Sequence, residues 1–181
     1  PSILTLERIY SSDEFSANRF GPARWLEHKS GYTTLERSES LDKGRDIIWY
    51  EPESGEREIL VPAEDLVLPG AAEPLEIDNY HWSEDGTKLL IFTNSQRVWR
   101  QNTRGDYWVL DVNTGTLHQL GGDAEPATLM FAKFSPDGKK AGYVHHNDIF
   151  VEDLKDHHIV RLTWDGSETI INGTFDWVYE E

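Results

Sequence analysis

Two stretches, Trp82-Ser83-Glu84-Asp85-Gly86 and Phe134-Ser135-Pro136-Asp137-Gly138, repeat one pattern about 50 residues apart. Each is followed by a short apolar run, at residues 89–92 and 141–144. A degenerate third copy occupies residues 25–31, ahead of another β-prone run. Asp-Gly between two such runs indicates a tight turn, because glycine adopts a positive φ without steric cost. The chain therefore repeats a β-hairpin.

Each copy continues into a second hairpin, with strands near residues 47–50 and 58–61, 107–111 and 117–120, and 148–151 and 159–162. Four short strands per repeat of this length are typical of a β-propeller blade. We predict an all-β fold, a partial β-propeller with about three four-stranded antiparallel blades plus the start of a fourth. The predicted blades cover residues 20–62, 76–121 and 127–164, and the start of the fourth covers residues 168–181. Helix should be scarce, with one short helical turn in the linker 62–76.

The charge balance argues against two classes of binding partner. The 181 residues include 17 basic and 33 acidic side chains, for a net charge of −16, which disfavours nucleic acid and anionic membrane surfaces. No apolar run approaches the roughly 20 residues of a membrane-spanning helix, so we expect no membrane contact from this segment. There is no cysteine, so disulfides and thiolate chemistry are excluded.

The histidines favour a structural interpretation. His145-His146 and His157-His158 are sequence neighbours, and neighbours on a strand point to opposite faces, so neither pair can chelate a metal within regular β-structure. We expect residues 145–148 to form a hairpin turn, and no metal or cofactor to bind. No G-x-S-x-G pattern marks a serine nucleophile, so no catalytic residue is assigned to this chain.

Two stretches admit more than one interpretation on their residues alone. The segment from Trp99-Arg100 to Tyr107-Trp108 would be an inter-strand loop whose arginines pair with surface acids. The stretch Asp176-Trp177-Val178-Tyr179-Glu180-Glu181 would be a solvated strand edge.

Between these two stretches lie Asn147-Asp148-Ile149-Phe150-Val151 and Leu162-Thr163-Trp164-Asp165-Gly166. In this order, the four stretches make the chain resemble the N-terminal propeller of the dipeptidyl peptidase IV family of serine peptidases. The resemblance covers most of the chain from about Leu75 onward. Single turns are unspecific, whereas D-W-V-Y-E-E with an upstream W-R is highly specific.

The resemblance implies a role for three residues. In that family an acidic pair at the end of a D-W-V-Y-E-E-E run captures the free N-terminal ammonium of a peptide. On this register Glu181 is the first member of the pair, Glu180 is its neighbour, and the second member would follow Glu181. Arg100 matches the arginine that contacts the carbonyl of the second substrate residue. The expected substrate-binding residues are therefore Arg100, Glu180 and Glu181.

The resemblance also implies the partners. The propeller would gate a C-terminal α/β-hydrolase domain of the same parent protein, which carries the serine, aspartate and histidine and removes X-Pro or X-Ala dipeptides. The expected ligand is a peptide with a free N-terminus, a homodimer is expected, and the family favours a periplasmic or secreted location. This chain by itself should be inactive.

Two alternatives explain the repeats equally well. The first is a non-catalytic β-propeller binding module, which gives no reason for Arg100 and the terminal acids to occur together. The second is the propeller of an oligopeptidase or acylaminoacyl peptidase relative, which would lack the ammonium-binding acids.

Overall fold

The computed structural model describes residues 3–12, 14–15, 22–98 and 100–175. Twelve strands and two short helices lie in these ranges: α1 Leu6–Tyr10, β1 Arg24–Trp25, β2 Tyr32–Arg37, β3 Arg45–Tyr50, β4 Arg57–Val61, a 3-10 helix Ala63–Leu66, β5 Asn79–Trp82, β6 Lys88–Arg97, β7 Asn102–Asp111, β8 Thr116–Gln119, β9 Leu129–Phe134, β10 Lys140–His145, β11 Asp148–Asp153 and β12 Ile159–Arg161.

The strands form three consecutive four-stranded antiparallel units, which we call blades one (β1–β4), two (β5–β8) and three (β9–β12). This confirms the predicted all-β, partial-propeller fold. The predicted blade boundaries enclose these strands, and we keep them as a proposal. Residues 162–175 contain no strand, and the rest of the expected fourth blade lies outside the described residues.

Blades two and three are joined into one eight-stranded sheet. The join is a short antiparallel ladder between β7 and β9, in which Arg104 pairs with Met130 and Gly105 with Leu129. Blade one remains a separate sheet, with the strand order β1-β2-β3-β4. The junction between blades two and three is therefore held by main-chain hydrogen bonds as well as by side chains.

Two apolar clusters fill the spaces between neighbouring blades, as packing of propeller blades requires. The first joins blades one and two through Leu35, Ile47, Val61, Leu66, Ile77, Tyr80, Leu89, Ile91 and Leu110. The second joins blades two and three through Leu90, Phe92, Tyr107, Val109, Leu120, Leu129, Ala132, Ala141 and Tyr143. Each blade therefore buries its apolar faces against its neighbours.

A buried aspartate recurs on the third strand of each of the three described blades. The Oδ1 atoms of Asp46, Asp106 and Asp148 accept a backbone N–H from the segment that leaves their own blade, namely from Ala63 at 2.8 Å, Ala127 at 2.7 Å and Gly166 at 3.1 Å. Each aspartate satisfies a buried donor that no strand can pair. This repeated bond fixes where the chain turns toward the next blade.

The repeated Asp-Gly turns share their hydrogen bonds as well as their sequence. The hydroxyl of Ser83 donates to Asp85 Oδ1 at 2.7 Å, and the hydroxyl of Ser135 donates to Asp137 Oδ1 at 2.7 Å. Gly86 and Gly138 follow with φ of 68° and 64°. A backbone hydrogen bond from Thr87, with the Ser83 hydroxyl, lowers the pKa of Asp85 to about 2. The predicted tight turns are therefore present.

The helices are short, as expected. The 3-10 helix at Ala63–Leu66 is the helical turn predicted for the linker 62–76, and α1 spans five residues ahead of blade one. Neither of these helices, the two within the described residues, is long enough to cross a lipid bilayer.

Candidate binding site

Strands β6 and β7 continue beyond blade two as a hairpin extension, residues 94–105. Their pairing is regular from Lys88 opposite Asp111 to Thr93 opposite Asp106, after which the register shifts twice. The tip closes at residues 98–101, where Val98 N–H donates to the Gln101 carbonyl at 3.1 Å. Arg100 lies in this tip and is exposed.

Side chains of blade two anchor the base of the extension. Asn94 adopts a positive φ of 49°, and its side-chain amide donates to Asp106 Oδ2 at 2.8 Å. The next residue, Ser95, donates its backbone N–H to Asp78 Oδ2 at 3.0 Å. Asp106 therefore supports both the extension and the segment that leads to blade three. These bonds fix the direction in which the extension leaves the blade.

Gly105 fixes the opposite strand of the extension. A Cβ at this position would lie 2.4 Å from Phe92 Cε2 and 2.7 Å from the Thr93 carbonyl oxygen, distances that real Cβ atoms do not adopt. Only glycine lets β7 pass this close to β6 while pairing with Leu129 of blade three. The extension is thereby held from both neighbouring blades.

Two of the three arginines of the extension, Arg100 and Arg104, lie outside the ion pairs of the described residues. None of the ion pairs formed within residues 22–98 and 100–175 involves Arg100 or Arg104. The interpretation in which these arginines pair with surface acids is therefore wrong for the described part of the chain. In a protein of net charge −16, an exposed guanidinium that lies at a hairpin tip, outside the ion pairs of the described residues, can bind carbonyl or carboxylate oxygens.

A cleft of about 420 Å³ opens beside the base of the extension, between blades two and three. Residues of β5, β6, β7 and β9 line it, among them His81, Thr103, Tyr107 and Lys133. Burial lowers the pKa of His81 and raises the pKa of Tyr107 to about 12, so both side chains are neutral near pH 7. The Thr103 hydroxyl beside the cleft is buried and has no hydrogen-bond partner within the described residues.

The structure locates one of the three expected binding residues. Arg100 is at the tip of the extension, whereas Glu180 and Glu181 lie outside the described residues, as does Trp99. The expectation that Arg100 and Glu181 converge on one peptide stays a prediction.

Sequence reasoning missed how the extension is supported. In the sequence, Asp106 stands out only as one residue of the segment from Trp99 to Trp108. Each of the other repeats nevertheless has an aspartate at the equivalent position, at Asp46 and Asp148. That alignment was a usable signal. The contribution of Gly105 had no comparable signal, because it depends on the approach of Phe92 in three dimensions.

Comparison with known families finds a match to the model described as the dipeptidyl peptidase IV N-terminal region, over residues 83–181. Among curated proteins, a dipeptidyl aminopeptidase of Schizosaccharomyces pombe is 33% identical over 175 residues, which cover 94% of this chain and 21% of that protein. Dipeptidyl-aminopeptidase B of Aspergillus clavatus is 34% identical over 116 residues, covering 64% of this chain and 12% of the relative. The chain thus spans about a fifth or less of the length of these relatives.

Among solved structures, the crystal structure of Porphyromonas gingivalis dipeptidyl peptidase 4 superimposes with a TM-score of 0.82 at 27% identity. The match covers 100% of this chain and 25% of that protein. The match therefore spans the whole of this chain.

Proposed function

Since this chain belongs to the dipeptidyl peptidase IV family, whose N-terminal region it matches, we propose that it is the substrate-recognising part of a serine-type dipeptidyl peptidase. The parent enzyme removes X-Pro or X-Ala dipeptides from peptide N-termini, and its catalytic serine, aspartate and histidine belong to a C-terminal α/β-hydrolase domain. This propeller segment gates access to that domain and binds the free end of the peptide.

The observation that carries this proposal is the way in which the hairpin extension holds Arg100. Its guanidinium is exposed at the tip of an extension that is anchored by Asp78, Asp106 and the close approach at Gly105. A donor held in one place orients a flexible peptide by binding its backbone carbonyl, and positioning of this kind contributes directly to rate. Arg100 therefore binds the carbonyl of the second substrate residue.

The acidic residues at the end of the chain supply the other half of the recognition. A peptide α-amino group has a pKa of about 7.7–8.0 and is largely cationic at neutral pH. Glu181, with Glu180 beside it, supplies the anion that binds this ammonium. Crowded carboxylates repel one another, and a bound ammonium relieves that repulsion. Fixing the N-terminus limits cleavage to the bond after the second residue.

Steady-state kinetics of the full-length enzyme on a Gly-Pro chromogenic substrate test the proposal. Arg100→Ala and Glu181→Ala should each lower kcat/KM about ten- to hundred-fold, the equivalent of roughly 1.5–3 kcal/mol for a charge-assisted hydrogen bond. Arg104→Ala is the matched control, because it removes the same charge from the same extension but not from its tip. It should stay within about twofold of the wild type.

N-acetylated substrates separate the two roles. The loss caused by Glu181→Ala should be specific to substrates with a free amine, whereas Arg100→Ala should affect any residual cleavage of both kinds. Unchanged efficiency of Glu181→Ala on free-amine substrates would rule out the ammonium contact. Equal effects of Arg100→Ala and Arg104→Ala would rule out a specific role for the tip.

A further inference from the structure

Three metal-ligating side chains meet where blades two and three are in contact. His118 comes from β8, Glu152 from β11, and His157 from the turn that follows β11. His118 Nε2 lies 2.6 Å from Glu152 Oε1, and His157 Nδ1 lies 4.0 Å from the same oxygen. All three candidate ligand atoms lie within 4.8 Å of one another. None of its three residues belongs to the hairpin extension, so the cluster is separate from the proposed peptide site.

Glu152 is a buried carboxylate, with only 1% of its side chain exposed. Its Oε2 accepts the backbone N–H of Gly121 at 2.9 Å, which links β11 to the end of blade two. A buried carboxylate is costly unless a positive charge is close to it. The side chains that contact this carboxylate are His118, His157 and, through a hydrogen bond, Tyr143, and neither Lys nor Arg forms an ion pair with it within the described residues.

The two imidazole rings are stacked, with 3.6 Å between their centroids and 27° between their planes. Neutral imidazole is the form that binds metals. A divalent cation shared by both rings would balance the carboxylate without requiring either imidazole to be charged.

The backbone at His157 gives a second, independent reason to assign this side chain a role. The turns between the third and fourth strands are equivalent in the three blades, since the N–H of Gly55, Gly115 and His157 donates to the carbonyl four residues earlier at 2.8, 2.8 and 2.9 Å. The φ angles at these positions are 73°, 68° and 59°. Glycine adopts this left-handed conformation freely, and any other residue does so at a cost. Blade three alone of these three blades has a side chain there, and that side chain stacks on His118.

We propose that His118, Glu152 and His157 bind one divalent transition-metal ion, with zinc as the best match. Two imidazole nitrogens and a carboxylate oxygen are ligands that zinc accepts, with water in the fourth position. A tetrahedral site with bonds of about 2.0–2.1 Å places its ligand atoms about 3.3 Å apart. Because an imidazole binds a metal in the plane of its own ring, the exposed His157 ring has to turn out of its stack with His118 to bind the same ion. An adjoining pocket of about 240 Å³, lined in part by His118 and His157, has room for the water.

The site joins two blades. Because its ligands come from β8 of blade two and from β11 and the turn of blade three, metal binding adds a clip across the junction. The sequence argument against chelation concerned neighbouring histidines on a strand. It does not apply here, since His157 lies in a turn and both of its partners are distant in sequence.

The test uses chelator-treated, full-length protein titrated with ZnCl₂ in a calorimeter, with CoCl₂ absorption as a probe of coordination geometry. His157→Gly removes a ligand and introduces the residue that the equivalent turns of blades one and two contain, so the fold should be retained. His158→Ala, in the same turn, is the matched control. All proteins carry His146→Asn, which disrupts the second histidine-containing cluster, formed by Glu125, His145 and His146. The protein with this change alone is called the wild-type background.

The wild-type background and His158→Ala should bind zinc and give the intense visible bands of four-coordinate cobalt. His157→Gly should lose one equivalent of zinc or at least about tenfold in affinity, because even outer partners of metal ligands contribute that much. Zinc should raise the unfolding temperature of the wild-type background and of His158→Ala but not of His157→Gly. Equal zinc binding by all three proteins would overturn the proposal, as would absence of zinc binding by the wild-type background at micromolar concentration.

Discussion

Blades two and three have the same strand skeleton and differ in their connections. Their second and third strands pair in the same register up to Thr93 opposite Asp106 in blade two and His145 opposite Asp148 in blade three. Beyond that pair, blade three turns at once through His146 and Asn147, both with positive φ, whereas blade two inserts the extension 94–105. The comparison shows that the two blades share their paired strands, and that the connection inserted in blade two carries the candidate peptide-binding group, Arg100.

The largest effect should come from making blade two resemble blade three at this hairpin. Replacing residues 94–105 with Asn-Gly, between Thr93 and Asp106, would remove Arg100 and leave a tight type I′ hairpin. We expect kcat/KM of the full-length enzyme to fall by about a hundredfold or more, because the substrate loses its positioning contact. Kinetics on a Gly-Pro substrate, with far-UV circular dichroism to confirm folding, measure this.

Replacing His146-Asn147 with Asn-Gly in blade three is the matched control for that variant. It changes the equivalent turn and should keep kcat/KM within about twofold of the wild type. A folded enzyme that lacks residues 94–105 and retains normal efficiency would show that the extension is only structural.

The next effect concerns the aspartates that both blades share. Asp106→Ala would leave the Ala127 N–H and the Asn94 amide without an acceptor, so the free energy of unfolding should fall by about 1–3 kcal/mol. Urea unfolding followed by tryptophan fluorescence gives this value. Asp42→Ala is the control, since Asp42 is an exposed acid paired with Arg37 and should be close to neutral.

Asp148→Ala should destabilise the protein more than Asp106→Ala does. Asp148 accepts hydrogen bonds from Arg161, Thr163, Gly166 and Asn172, and the bonds from Thr163 and Arg161 lower its pKa. Removal of the carboxylate leaves more groups unpaired than at Asp106. The reverse order of the two unfolding midpoints would contradict an anchoring role for the blade-three network.

The smallest effect should appear in the turns between the third and fourth strands. A Cβ at Gly115 would have no atom within 4 Å, so Gly115→Ala tests the backbone alone. It should reduce the free energy of unfolding by about 1 kcal/mol, because φ is 68°. In zinc-free buffer His157→Gly should cost less than Gly115→Ala, since it relieves the same conformation. A larger loss for His157→Gly would indicate that the histidine stabilises its blade without metal.

Much of the fold could be predicted from the sequence because its signals are local. The two Asp-Gly turns, the alternating strands and the helical turn near residues 63–66 each depend on residues close together in the chain. The repeat length then specified four strands per blade. The hairpin turn at residues 145–148 was predicted for the same reason, and the structure confirms it. The hairpin extension was visible as an arginine-containing segment between two strands.

What the sequence alone determined is therefore the strand repeat, the turns and the presence of Arg100 in a connection. Only the tertiary structure decided that Gly105 lets the extension lie against Phe92, that Asp106 anchors it, and that blades two and three share a sheet. It also brought His118 to Glu152, 34 residues apart, with a separation of 2.6 Å. The physical reason is that strand pairing and blade packing bring these residues together, and no local spacing or turn preference in the sequence records which side chains will meet.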